Sequence, residues 1–220
     1  CVSSGKSIDM PRLFESTNEL KAFYDEYGYV TIKGLLPAEL LDNVRSDLTA
    51  IFSPYALSDE FPIDSAIIEL DANDKDALYN LHMAASKLVS LGALSVHVQN
   101  TLKSISGKSA PALEIAKGFL LSIAQDERLV YDFHQESNYM KGFDDIFNVH
   151  YPLLRTSDLE NGTMSLLPGT HQLGTLEYSK SRSSKDSYTN LKPDKVEDIS
   201  AIVPELHCYL ELGDCVIFHK

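Results

Sequence analysis

Apolar positions in the first half of the chain recur at helical spacing. Leu20, Phe23, Tyr24 and Tyr27 fall at i, i+3, i+4 and i+7, with Ser16 and Glu19 at capping-box spacing ahead of them and Gly28 behind. Residues 29–33 then read as a short strand, and Gly34 turns the chain. Pro37 stands where a first helical turn tolerates proline, and Leu40, Leu41, Val44, Leu48 and Ile51 share one face after it. Residues 76–89 and 93–105 repeat the pattern and predict two more helices.

The period changes in the second half. Short apolar or alternating runs at 119–124, 129–133, 146–151, 163–167, 206–210 and 215–219, each bounded by turn residues, predict strands. Together they predict an antiparallel jelly roll. Residues 179–193, rich in Ser, Lys and Asp, read as a mobile surface loop. No repeat or linker divides the chain. The expected architecture is therefore one domain, mainly β with helical additions: a double-stranded β-helix (jelly roll) core over about 116–220, flanked by α-helices over about 1–115.

Composition narrows the function without naming it. The 220 residues are 44% hydrophobic and 23% charged, as in an ordinary globular domain, and no apolar run approaches the ~18 residues of a membrane span. Thirty-two acidic residues against 19 basic ones give a net charge of -13, which repels nucleic acid and anionic membranes at long range, so neither is expected as a partner. Cys1, Cys208 and Cys215 are too few and scattered for a disulfide framework, and they suit a reducing, cytoplasmic setting. Cys208 and Cys215 are expected to pack as small hydrophobes. The start at Cys1 and the stop within the apolar run 215–219 lead to the expectation that both ends are cut.

The candidate chemistry lies in His134-Gln135-Glu136. On a strand, residues i and i+2 point to one face, so an imidazole and a carboxylate can converge on one ion while Gln135 points away. Two histidines and a carboxylate on one face of an octahedron leave open positions, as non-haem Fe(II) oxygenases require. Alone, the tripeptide is weak evidence and reads first as a hydrogen-bonded surface pair. By ligand type and separation His219 is the obvious third ligand, with His207 a lesser candidate. His82 and His97 fall in predicted helices and read as structural.

Four segments, in order, resemble the phytanoyl-CoA dioxygenase family. They are Tyr27-Gly28-Tyr29-Val30-Thr31-Ile32-Lys33-Gly34; His134-Gln135-Glu136 with Tyr139; Val149-His150-Tyr151-Pro152 with the later Asn161-Gly162 and Pro168-Gly169-Thr170-His171; and Gly213-Asp214 with the run to His219. The resemblance implies Fe(II) held by His134 and Glu136, with Tyr139 and His150 lining the 2-oxoglutarate pocket. For Tyr139 and His150, ordinary strand packing is the standing alternative. Glu136 replaces the family's usual Asp, and a carboxylate there argues against halogenation. In the family's pattern the distal histidine lies a few residues beyond the position of His219, and the 2-oxoglutarate-binding Arg later still. That alignment makes His219 a neighbour of the site, and places both missing groups beyond Lys220.

The function implied is Fe(II)/2-oxoglutarate-dependent hydroxylation of an unidentified small-molecule substrate with O2. Two other readings stand beside it. One is a non-catalytic jelly-roll binding or scaffold protein that has lost iron chemistry; the other is a cupin-type metalloenzyme that does not use 2-oxoglutarate.

Overall fold

The computed structural model describes residues 17–109, 118–119, 131–140, 142, 146–181 and 190–219. Helix α1 (Thr17–Tyr27) leads into strand β1 (Tyr29–Ile32). Helix α2 (Ala38–Phe52) follows, with Pro37 at its N-cap, and buries the spaced set Leu41, Val44, Leu48 and Phe52. A 3-10 turn (Ser53–Tyr55) then precedes α3 (Pro62–Asn73), α4 (Lys75–Ala85), α5 (Val89–His97) and α6 (Gln99–Ser106).

Local chemistry sets several of these boundaries. The Asp74 carboxylate accepts from the Ala77 backbone N–H at 2.9 Å and so caps the start of α4. The predicted helix over 93–105 is instead two helices, with Val98 between them. There the His97 ring bonds the Leu35 carbonyl at 3.0 Å. Helix α3 was not foreseen, although Ile63, Ala66 and Leu70 bury one face of it. The proposed Ser16 cap lies outside the described residues.

The later elements are short: a single helical turn α7 (Glu136–Tyr139), then β2 (Phe147–His150), β3 (Ser165–Leu166), a 3-10 turn (Thr170–Leu173), β4 (Tyr178–Ser181), β5 (Asn190–Pro193), α8 (Val196–Ser200), β6 (Leu206–His207) and β7 (Cys215–His219). They pair as an antiparallel sheet in the order β1-β7-β2, with Tyr29 opposite Phe218 and Phe147 opposite His219, and as two-stranded pairs β3-β6 and β4-β5.

Strand alternation divides the core in two. Val30, Cys215 and Ile217 point from the three-stranded sheet into a cluster with Leu41, Val44, Leu48, Leu94 and Ile105 of the helices. Tyr29 and Val216 point the other way, into a smaller cluster with Cys208 and Leu210 against which Leu166 and Leu206 of the β3-β6 pair pack. Both described cysteines are buried in these clusters as expected, and burial pushes each thiol up to about 12, where no thiolate forms at neutral pH.

The jelly-roll expectation is corrected. Helices dominate the described residues, and the strands form small antiparallel sheets of three, two and two, with no double-stranded β-helix among them. The apolar runs at 146–151, 163–167, 206–210 and 215–219 do contain strands. Most are two to four residues long, and run length says nothing about which partner each finds. Tyr131–Phe133 and Phe119, the described parts of two further predicted strands, are not in strands; the remainder of both lies outside the described residues. Residues 179–193 were read as a loop, yet their described ends pair from Tyr178 opposite Pro193 to Ser181 opposite Asn190.

Candidate metal centre

His134 and Glu136 converge, by a route different from the one predicted. Neither lies on a strand: Gln135 is extended (φ -115°, ψ 130°) and Glu136 opens the helical turn α7. The His134 Nε2 and Glu136 Oε1 atoms are 3.4 Å apart, each side chain about a quarter exposed. The Nδ1 atom of His134 lies 2.8 Å from the Asp132 carbonyl oxygen. A carbonyl can only accept, so Nδ1 carries hydrogen, and in the neutral ring Nε2 holds a lone pair aimed toward the carboxylate. The orienting role of Asp132 was missed in the sequence because it resides in a main-chain carbonyl, which every residue type supplies.

Electrostatics pull on this ring in opposite directions. Burial, the largest single influence, favours the neutral form. The bond to Glu136, the bond to the Asp132 carbonyl and the charges of Glu136 and Asp132 together outweigh it, and the pKa ends above its ordinary value. A position where negative potential gathers at Nε2 suits a proton, and equally a divalent cation.

The donor atoms pass a simple test of fit. Two ligand atoms each ~2.1 Å from one ion and at right angles to each other lie ~3 Å apart, close to the 3.4 Å found. Metal-ligating histidines also commonly hold their second ring nitrogen on a carbonyl or carboxylate, as His134 does. The spacing of these two atoms thus fits two donors to one ion. Among the described residues no group of three His, Cys, Asp or Glu side chains converges on one point.

Tyr139 stands beside His134 and His150 does not. The Tyr139 ring meets the imidazole edge-on at 5.5 Å and 85°, and its hydroxyl accepts from the Leu191 N–H on β5 at 3.1 Å. Burial raises the phenol pKa, against a lowering by the Leu191 bond. His150 sits on β2 opposite Val216, and burial lowers its pKa. Among the described residues no hydrogen bond, ion pair or ring contact joins His150 to His134, Glu136 or Tyr139.

The remaining histidines separate by role. His219 ends β7 with its ring 5.3 Å from His171 and 6.4 Å from Tyr24. These three, with Ile105, Lys108 and Phe147, line a cleft of about 280 Å³ to which His134 and Glu136 do not contribute. His207 bonds Ser165 across the β3-β6 pair at 2.9 Å. His82 packs edge-on against Phe119, and burial lowers its pKa.

His171 closes a helix end. The last carbonyls of α1 have no intrahelical donors, and the Pro168-Gly169 turn supplies them. The Gly169 N–H donates to Tyr27 at 2.7 Å, the Gln172 amide to Glu26 at 2.9 Å, and the His171 Nε2 to Asp25 at 3.0 Å. This turn is thus bound to α1, and the chain leaving it meets the His134–Glu136 turn: the Gln135 side chain bonds the backbone of Gly174 and Leu176.

No single helix among the described residues is long and apolar enough to cross a membrane. Compared with known families, the chain matches the family model described as phytanoyl-CoA dioxygenase over residues 24–220.

Proposed function

The chain belongs to the phytanoyl-CoA dioxygenase family, and on that premise we propose that it is an Fe(II)- and 2-oxoglutarate-dependent oxygenase that hydroxylates a small-molecule substrate with O2. The observation that carries this reading is the 3.4 Å approach of His134 Nε2 to Glu136 Oε1 with Nδ1 anchored on Asp132. His134 and Glu136 would hold the ion. When bound, Fe(II) with 2-oxoglutarate supplies the oxidising power to place an oxygen atom on an unactivated carbon.

The protein's own residues do the positioning. The Asp132 carbonyl would keep Nε2 directed toward a bound ion, and the edge of Tyr139 would limit how far the ring can swing. Tyr139 and His150 occupy the family's cosubstrate-lining positions. Burial keeps His150 neutral near pH 7, able to donate from one ring nitrogen and accept at the other.

A binding or scaffold protein without iron chemistry is the second reading. It draws on the finding that only two donors, and no third, converge among the described residues. Anaerobic Fe(II) titration followed by 2-oxoglutarate separates the two. The oxygenase reading expects saturable binding, a visible charge-transfer absorption on adding 2-oxoglutarate, and succinate once air is admitted, all lost in His134→Ala. Protein that neither binds Fe(II) nor consumes 2-oxoglutarate would leave the scaffold reading standing.

A further inference from the structure

We infer that Gln135 is a positioning residue for the metal centre, clamping the turn that carries His134 and Glu136 onto the segment Gly174–Leu176; the inference rests on the metal reading above. The Gln135 Nε2 donates to the Gly174 carbonyl at 2.9 Å, and the Leu176 N–H donates to Gln135 Oε1 at 2.8 Å. One side-chain amide thus satisfies an acceptor and a donor two residues apart, as a neighbouring strand's peptide group would. The bonding pattern also settles which end of the amide is which, since reversing it would set donor against donor and acceptor against acceptor.

The clamp follows from local backbone geometry. Gln135 is extended, so its side chain leaves opposite those of His134 and Glu136. One direction carries the ligands and the other the anchor. What the anchor grips is itself fixed: Gly174 directly follows the 3-10 turn Thr170–Leu173, whose His171 and Gln172 are bound to the last carbonyls of α1. Ser137 and Thr175 add a weaker contact at 3.4 Å beside the clamp. The position of the two ligands is thereby referred to α1 and the core, although a turn of four residues has little rigidity of its own.

Other side chains fail for identifiable reasons. Glu would accept from Leu176 but face the Gly174 carbonyl with no hydrogen to donate. Asn is one methylene short, and Met matches the length with no hydrogen bonds. Without the clamp, the close approach of His134 and Glu136 must be ordered at each binding event, which weakens affinity although neither ligand has changed.

Two measurements on Gln135→Met test this, with Gln172→Met as the control that removes a comparable bond to the Glu26 carbonyl on the same segment. In metal-free protein, amide exchange should quicken at Leu176 in Gln135→Met only. In anaerobic titrations Gln135→Met should bind Fe(II) about tenfold more weakly, within the range for residues that orient ligands, and its charge-transfer absorption with 2-oxoglutarate should shift. Gln172→Met should lower the melting temperature but weaken Fe(II) binding far less than Gln135→Met, because the Gly169 and His171 bonds still hold the turn on α1. Wild-type affinity and spectrum in Gln135→Met, while His134→Ala loses the metal, would overturn the inference and spare the metal reading. Wild-type protein that takes up no Fe(II) would overturn both. Equal losses in the two Gln variants would reduce Gln135 to general stability and overturn the positioning role.

Discussion

His134 and His150 are both partly buried imidazoles, yet their surroundings push them in opposite directions. For His150 burial alone acts, and its folded pKa falls below the ordinary ~6.5. The unfolded chain then takes up a proton that the folded chain refuses, so stability is lost as pH falls below ~6.5 toward the folded value. For His134 the Glu136 carboxylate and the Asp132 carbonyl overcome burial, and its folded pKa rises. Its contribution is fully present below ~6.5 and is lost as pH climbs through the raised value. Denaturant melts of metal-free protein at about pH 5 and about pH 8 should therefore show the two variants shifting the profile in opposite senses. His150→Phe should lessen the loss on acidification, and His134→Gln should deepen it. Parallel profiles for both variants would mean these environments are wrongly assigned. The residue types at this site were legible in the sequence because an imidazole and a carboxylate two apart are visible there. The orienting Asp132 carbonyl was not, because backbone groups leave no mark on residue type.

Among the elements, the joint between α1 and β1 shows how much rests on one glycine. Gly28 has φ +74°, and a Cβ there would come within 2.4 Å of His171 Nδ1, with ring atoms rather than a flexible chain end in the way. Gly28→Ala is expected to cost about 2–4 kcal/mol, combining the left-handed backbone with overpacking. His171→Ala should cost about 1 kcal/mol for the lost bond to the Asp25 carbonyl. With the ring gone the collision disappears, so the double variant should be more stable than the sum of the two losses implies. A thermodynamic cycle by urea unfolding measures the difference, and strict additivity would place His171 elsewhere. The same scale explains where pattern reading succeeded. Cys215–His219 was found with its true bounds because the run alternates into two apolar clusters. The His134 segment was assigned to a strand because i and i+2 share a face there, but an extended Gln135 followed by a helical turn at Glu136 brings the same two atoms together. Residues 179–181 and 190–193 looked like loop because Ser, Lys and Asp suit solvent. Their pairing depends on ladder hydrogen bonds that side-chain polarity does not report.

Across the molecule, the three-stranded sheet divides a larger helical cluster from a smaller one shared with the β3-β6 pair. The turn bearing His134 and Glu136 joins this body through the Gln135 side chain and the Tyr139–Leu191 bond. Ligands at His134 and Glu136 should accordingly stabilise the domain as a unit. Mn(II), which suits the same nitrogen and oxygen donors, with 2-oxoglutarate each at about a hundred times its dissociation constant should raise stability by up to ~2.7 kcal/mol per site occupied. Differential scanning fluorimetry should show that rise in wild type and not in Glu136→Ala. A rise of equal size in the variant would move the binding site elsewhere.

The sequence by itself determined the helical periodicity of the first half, the existence of strands at 147–150 and 215–219, the burial of Cys208 and Cys215, and the family, through motifs whose order and spacing survive any local error of structure. Those features depend on residues near one another in the chain. Tertiary structure alone decided that the described strands form three small antiparallel sheets, that the 169–172 turn caps α1, and that Gln135 anchors the turn bearing His134 and Glu136. Each depends on hydrogen bonds made to backbone groups far away in sequence. Every residue carries such groups, so only their position in space distinguishes one partner from another.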